Sequence, residues 1–347
     1  MTPKVPIVYT SGVIYHKHMR LLWAMWLGLL GFGFAQTSVE RVFRGNITHE
    51  NQVLPIRMYL KLNGPKVTGY YLYEGRNGRL QLEGTFSEAE LNLKEFDGNK
   101  QTGVFRGGYN DRGIEGDWYT PNGKRGGRFS MVEQDYRFRQ ARLETVRVAE
   151  AKPQIQVLYP AFSGPSSGWQ SINRQTAQSV GSILSLYRQD YQTALKEKRL
   201  SEMRYLDMNY TLTLGTDGLV SFFIVGSSCG PSGCAYPGNW IRGYTFDPQT
   251  GKQVPLSTLF KPSSGYLERL VALGRKQVLE NLQADPSDRP RLEQNLSAEG
   301  LQWTLSAKGL TLYFSVPHAL GDYQEAFIGY DQLRDIWATT GPAARVR

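Results

Sequence analysis

From Val39 to Glu133 apolar and polar residues alternate in short runs, and helical spacing is missing throughout. Pro55 to Leu62 puts Ile56, Met58, Leu60 and Leu62 on one face, the period-two pattern of a half-buried strand. Val67 to Tyr73, Leu80 to Phe86, Leu91 to Phe96, Gly103 to Gly107, Ile114 to Trp118 and Arg128 to Val132 repeat it. Between them stand turn pairs such as Asn77-Gly78, Asp97-Gly98 and Asn122-Gly123, which favour tight hairpins. The pattern predicts an all-β N-terminal domain over 36–135, an antiparallel meander of about eight strands forming a small barrel or a sandwich. Its aromatic residues, Tyr71, Phe105, Trp118 and Phe129 among them, either fill the interior or line a cup for an apolar ligand.

The period changes further along. Ile155 to Tyr159 reads as a strand, and Thr176 to Leu195 has helical spacing through Val180, Ile183, Leu184, Tyr187 and Tyr191. Arg204 to Leu214 and Leu219 to Val225 read as a hairpin across Thr216-Asp217-Gly218, and Trp240 to Phe246 as a further strand. Tyr266 to Leu282 is a second amphipathic helix, with a break at Asp285 to Pro290. A hairpin across Ala307-Lys308-Gly309, a strand at Ala326 to Tyr330 and a helical end at Leu333 to Trp337 complete the set. The expectation for 154–347 is an α+β domain with an antiparallel sheet and two main helices. The stretch 136–153 reads as a basic connector, because Arg137, Arg139, Arg142, Arg147 and Lys152 are broken by Glu144 and Glu150.

The start of the chain changes the cellular setting. An apolar run from Leu21 to Phe34 follows Met19-Arg20 and is short for a bilayer span. Gly33 and Ala35 are small residues at the right offsets for cleavage before Gln36. Residues 1–35 are therefore expected to be an upstream extension and a cleaved signal peptide, giving a periplasmic or extracellular protein with no stable membrane span. Cys229 and Cys234 fit such an address. A structural disulfide is the first expectation for them; free or redox-active thiols and a metal role are weaker, since two thiols make a poor zinc site.

The formal charge of +9 is mild and spread along the chain, which suits solubility or weak attraction to anionic wall polymers and excludes a nucleic-acid footprint. No catalytic set emerges. His49 and His318 lie at no metal-ligand spacing, and nucleophile-elbow and phosphate-loop motifs are missing. Glu115 and Asp117 read as ordinary exposed acids, and Asp247 as a turn residue. The sequence thus predicts no enzyme, no metal, no cofactor and a monomer.

Tyr159-Pro-Ala-Phe-Ser-Gly164 followed by Ile172-Asn173 resembles the opening of an extracytoplasmic module. That module occurs in lysozyme-sensing anti-sigma factors of the RsiV type and precedes the catalytic domain of some peptidoglycan deacetylases. Residues 244–260, Tyr-Thr-Phe-Asp-Pro-Gln-Thr-Gly-Lys-Gln-Val-Pro-Leu-Ser-Thr-Leu-Phe, resemble the core signature of its partner module, domain family of unknown function 3298. Leu312-Tyr-Phe-Ser, Gly321 and Ile328-Gly-Tyr with Leu333 resemble that module's closing strands. The N-terminal half resembles no family except for Gly-Asp-Trp at 116–118, which is similar to a lipocalin motif but lies near the wrong end.

The resemblance implies an envelope role. It does not carry an anti-sigma role, because a signal and a β domain stand where a sigma-binding segment and spanning helix would be. Nor does it carry deacetylation, whose metal ligands sit in a domain lacking here. Where relatives show a Gly-Gly-Ala-His loop, this chain has Cys229 to Cys234, followed by Tyr236, Asn239 and Trp240. These last three are the candidate binding residues. The expected function is an exported, non-enzymatic binding protein that recognises a cell-wall polymer or a wall-active protein such as lysozyme. The alternative is a carrier of a small apolar ligand in the β domain.

Overall fold

The computed structural model describes residues 39–49, 52–74, 78–87, 90–110, 113–282 and 289–346. The expected signal segment, 1–35, lies outside them, as do Asn77 of the first turn pair and most of the break at 285–290.

Eight strands, β1 (Val39–His49), β2 (Gln52–Asn63), β3 (Lys66–Tyr73), β4 (Leu80–Phe86), β5 (Leu91–Asp97), β6 (Lys100–Asn110), β7 (Gly113–Tyr119) and β8 (Arg125–Gln134), close into one barrel. Each strand pairs antiparallel with its chain neighbour, and β8 returns to β1 with Gly45 opposite Met131. Closure removes every free edge, so the barrel resolves the choice between barrel and sandwich. Alternation decides what goes inside. Phe43, Ile56, Met58, Leu60, Tyr71, Leu93, Phe105 and Phe129 point inward and are almost wholly buried in one continuous core. One acid joins them: Glu95 accepts hydrogen bonds from Tyr71 Oη and Trp118 Nε1, both at 2.9 Å, and from Thr102 Oγ1 at 2.6 Å. A buried carboxylate is tolerable when its lone pairs are filled in this way.

The second region is layered. A six-stranded sheet runs in the order β14 (Lys252–Gln253), β13 (Gly238–Asp247), β12 (Val220–Cys229), β11 (Tyr205–Gly215), β10 (Ile155–Ser163), β9 (Arg142–Glu150). So Arg142 to Glu150, inside the run read as a connector, forms an edge strand paired along its length with β10. β10 and β11 are parallel over three pairs, an exception to the antiparallel expectation. A parallel neighbour needs a crossover, and helix α1 (Gly168–Lys196) supplies it. The helix begins earlier than its sequence signal, because Gly, Ser and Asn in its first turns are weak helix formers. Trp169 and Ile172 bury there all the same, each worth about 1.5–3 kcal/mol if fully removed from water.

Strand parity separates the sheet's two faces. Phe222 and Ile224 pack under α1, while Ser221 and Phe223 point the other way. On that second face lies a three-stranded sheet of β15 (Gln302–Leu305), β16 (Gly309–Ser315) and β17 (Tyr323–Gly329). Phe223 meets Tyr313 edge-on at 5.5 Å, and Leu305 N donates to Ser221 Oγ at 2.9 Å. Helix α2 (Tyr266–Asn281) covers the small sheet with Leu270 and Val278. A short α3 (Arg289–Asn295) follows the expected break, with Pro290 in its first turn, where its missing N–H costs nothing. The expected helical end at 333–337 is a run of turns, followed by a 3₁₀ segment at Gly341–Arg345.

The two regions meet through a polar seam. Past Val157, β10 leaves β11, and the barrel wall caps the freed edge. Arg44 donates to the Tyr210 carbonyl, Leu212 N donates to Gln134 Oε1 at 2.7 Å, and Arg137 N donates to the Gly215 carbonyl at 2.7 Å. Glu74, on the same wall, accepts from Arg44 at 2.6 and 2.8 Å and from Arg57 at 3.0 Å. Arg57 also reaches the Leu143 carbonyl at 3.1 Å, Thr145 and the Tyr210 hydroxyl. Of this cluster only Arg57 Nε lacks a partner among the described residues. Burial would push the Glu74 carboxyl up, but the two guanidinium groups and Thr145 outweigh it and hold it below the ordinary range.

Candidate functional site

Cys229 ends β12 and is joined to Cys234 by a disulfide, with Cα atoms 5.3 Å apart. The clip closes a small loop that Gly233 turns with φ +92 and that leads through Pro237 into β13. Tyr187 of α1 steadies it from below, its hydroxyl 3.3 Å from the Cys229 carbonyl.

The three candidate binding residues separate in the structure. Tyr236 stands out, 73% exposed, with its ring centroid 5.9 Å from that of His318. Asn239 is tied down: its backbone N–H and its side-chain amide both donate to Asp322 Oδ2, at 2.8 and 3.0 Å. Trp240 is half-buried against the α1 side of the sheet, and Arg242 lies over its ring at 5.7 Å. The ring occupies the space a side chain would need at Gly226, where a Cβ would come within 2.1 Å of it. That close approach requires glycine and makes Trp240 a packing residue on the face opposite Asn239.

His318, which the sequence leaves as a loop residue, is brought to the loop by the turn before β17. Its Nδ1 bonds both oxygens of Asp322, at 2.9 and 3.0 Å, so the carboxylate acts as acceptor and fixes the imidazole. Asp322 sits in the left-handed region at φ +70, tolerable for Asp, which turns its carboxylate back toward the loop. Slight burial raises its carboxyl, but the hydrogen bonds from Asn239 and His318 win and hold it below the ordinary range. Beside these residues Asp207, Ser227, Asn239 and Tyr323 line a cleft of about 370 Å³. Desolvation pushes the Asp207 carboxyl up, while the residue keeps contact with solvent. No sequence signal marks Asn239 and Asp322 as partners, because they come from β13 and from the turn before β17 and meet only through the fold.

The other candidates fall into structural roles. Asp117 pairs with Arg125 at 2.6 Å and Glu115 with Arg128 at 3.4 Å on the outer barrel wall. His49 bonds the Gly126 carbonyl and lies edge-on to Trp118. Asp247 accepts from Gln249 N at 2.9 Å and pairs with Arg345 at 3.2 Å, while Gly251 closes the turn at φ +67. Ser166 and Gln175 of the α1 region bond the carbonyls of Pro248 and Gly251, so the 244–260 stretch anchors that helix. Among the described residues no group of three His, Cys, Asp or Glu could hold a metal, and no helix is long and apolar enough to cross a membrane. The barrel interior, where a carried ligand would sit, is occupied by its own aromatic and aliphatic side chains.

No family model and no curated protein matches the chain. Solved structures do show a likeness. One is a DUF3298 family protein from Bacteroides fragilis, 14% identical, with 60% of this chain and 97% of that chain covered at a TM-score of 0.44. Another is a DUF3298 family protein from Pseudomonas aeruginosa PAO1, 13% identical, with coverage of 58% and 95% and a TM-score of 0.42.

Proposed function

We propose that this is an exported, non-enzymatic binding protein of the cell envelope. Its working face is the disulfide-clipped loop with Tyr236, together with His318 and Asp322. The partner is a cell-wall component or a wall-active protein such as lysozyme. The observation that carries the reading is Tyr236, an aromatic ring left 73% exposed on a loop held by a covalent clip. An exposed ring on a rigid support loses little entropy on binding, which is why such residues serve as anchors. His318 beside it adds a ring nitrogen, Nε2, whose orientation Asp322 fixes.

The test is retention of the full chain on purified sacculi and on immobilised lysozyme. Wild type should be retained by one of them, and Tyr236→Ala should lose about tenfold in affinity, the effect of one modest hot spot. Equal retention of wild type and Tyr236→Ala on both supports would remove the loop from the reading.

A further inference from the structure

One row of residues across the large sheet holds an acid without a partner. Leu206 and Met208 pack into the core under α1, so Asp207 between them projects from the opposite face. Strand register sets its neighbours. Gln156 of β10 and Ser227 of β12 stand opposite it, and Asn239 of β13 stands opposite Ser227. Asp207 belongs both to the cleft of about 370 Å³ that Val225, Ser227, Asn239 and Tyr323 line and to a second hollow of about 540 Å³ over β9 and β10. Among the described residues its carboxylate has no hydrogen bond and no ion pair. Burial pushes the carboxyl up, as expected for an acid whose charge nothing answers.

Charge sets this place apart from the rest of the molecule. The chain carries a formal +9, yet no Lys, Arg or His among the described residues lines either hollow. The other acid at their walls, Glu150, is already paired with Arg188 of α1. The groups beside Asp207 add acceptors. Asn239 donates its amide N–H groups to Asp322, at 3.0 Å, and to the Pro237 carbonyl, at 3.4 Å, so its Oδ1 is left to accept. Ser227 Oγ lies 3.1 Å from Tyr205 Oη, and a hydroxyl oxygen with two lone pairs has room for one bond more.

An ammonium group has three N–H donors and no acceptor. Its N–H bonds diverge tetrahedrally, so two acceptors at about 2.9 Å stand about 4.7 Å apart, the distance between neighbouring strands. A planar guanidinium instead donates in parallel to a single carboxylate, and a quaternary ammonium donates nothing. We infer that the cleft at Asp207 binds a small primary amine, its ammonium group held by Asp207, Ser227 and Asn239 and its alkyl chain laid against Val225 and Tyr323. The cleft is of small-ligand size, and its one uncompensated charge calls for one cationic group rather than a polycation. The site goes beyond the loop reading above. It adjoins the loop through Asn239 but uses neither Tyr236 nor His318, so the two can fail separately.

The test is an NMR titration of the isotope-labelled full chain with n-butylamine at pH 7 and constant ionic strength. Saturable shifts of the amides at 225–227 and 239 are expected. Asp207→Asn keeps the shape and removes the charge, and should weaken binding at least about tenfold, the loss of one charge-assisted hydrogen bond. Ser227→Ala should weaken it about threefold, a neutral bond at the low end. Tyr236→Ala should bind as wild type does. Tetramethylammonium, with the charge but no donor, and n-butanol, with the chain but no charge, should not saturate the site. No saturation of wild type by n-butylamine, equal binding by Asp207→Asn, or equal binding of tetramethylammonium each overturns the proposal.

Discussion

The seam between barrel and sheet and the clipped loop beside His318 hold similar chemistry in opposite settings. At the seam, Arg44, Arg57 and Glu74 are almost wholly buried and their partners are protein groups. At the loop, Tyr236 is open to solvent and only its support is bonded. The seam has the richer constellation of charged groups, yet its two arginines bond backbone carbonyls of the neighbouring sheet, at Tyr210 and Leu143, and Glu74 holds them there. A dense cluster of ionisable residues can therefore be architecture, and a single exposed ring on a stiff base the better sign of recognition.

The comparison breaks most sharply at Glu74. Glu74→Ala leaves two buried guanidinium groups without their acid and should cost roughly 3–5 kcal/mol in urea unfolding, with partner retention unchanged below the unfolding transition. A loss under 1 kcal/mol would mean the seam is wet and loosely held. At the loop, Cys229→Ser with Cys234→Ser should cost roughly 2 kcal/mol, the entropy of so small a closed loop, and should weaken retention together with stability.

A smaller effect sharpens the seam's side. Burial pushes the Glu74 pKa up, but Arg44, Arg57 and Thr145 outweigh it and hold the folded-state value below the unfolded one. The stabilisation is thus fully present above the unfolded value and is lost as pH falls through the folded one. Wild type should lose urea stability on acidification below about pH 5 more steeply than Glu74→Gln. Matching slopes would show that Glu74 is not a linked group. Smallest of all, Tyr236→Ala should move stability by no more than about 0.5 kcal/mol, since the ring packs on little. A larger loss would make Tyr236 a structural residue like Trp240.

The barrel was readable because its pairings are local. Alternation in Ile56, Met58, Leu60 and Leu62 fixes a face, and turn pairs such as Asp97-Gly98 fix the next neighbour. The parallel pairing of Ile155 with Leu206 was not readable, since it depends on a crossover that periodicity cannot see. β9 hid for another reason: its arginines stand directly beside Leu143 and Val148 on an edge strand, where charge is ordinary. Cys229 and Cys234 announced their bond by spacing and setting. Trp240 looked like an exposed anchor because nothing in the sequence shows that Gly226, across the strand, leaves room for its ring. His318 and Asp322 have the helical i, i+4 spacing but sit in a turn, and their meeting with Asn239 is purely tertiary.

The capped edge of β11 has a consequence for inheritance. A barrel joined to some other partner would carry Arg44 and Arg57 to a surface with no Tyr210 and no Thr145 to receive them. The sheet left behind would show bare backbone beyond Met208, ready to recruit a strand from any chain nearby. The two regions are not interchangeable parts, and recombination that separates them should yield fragments that aggregate.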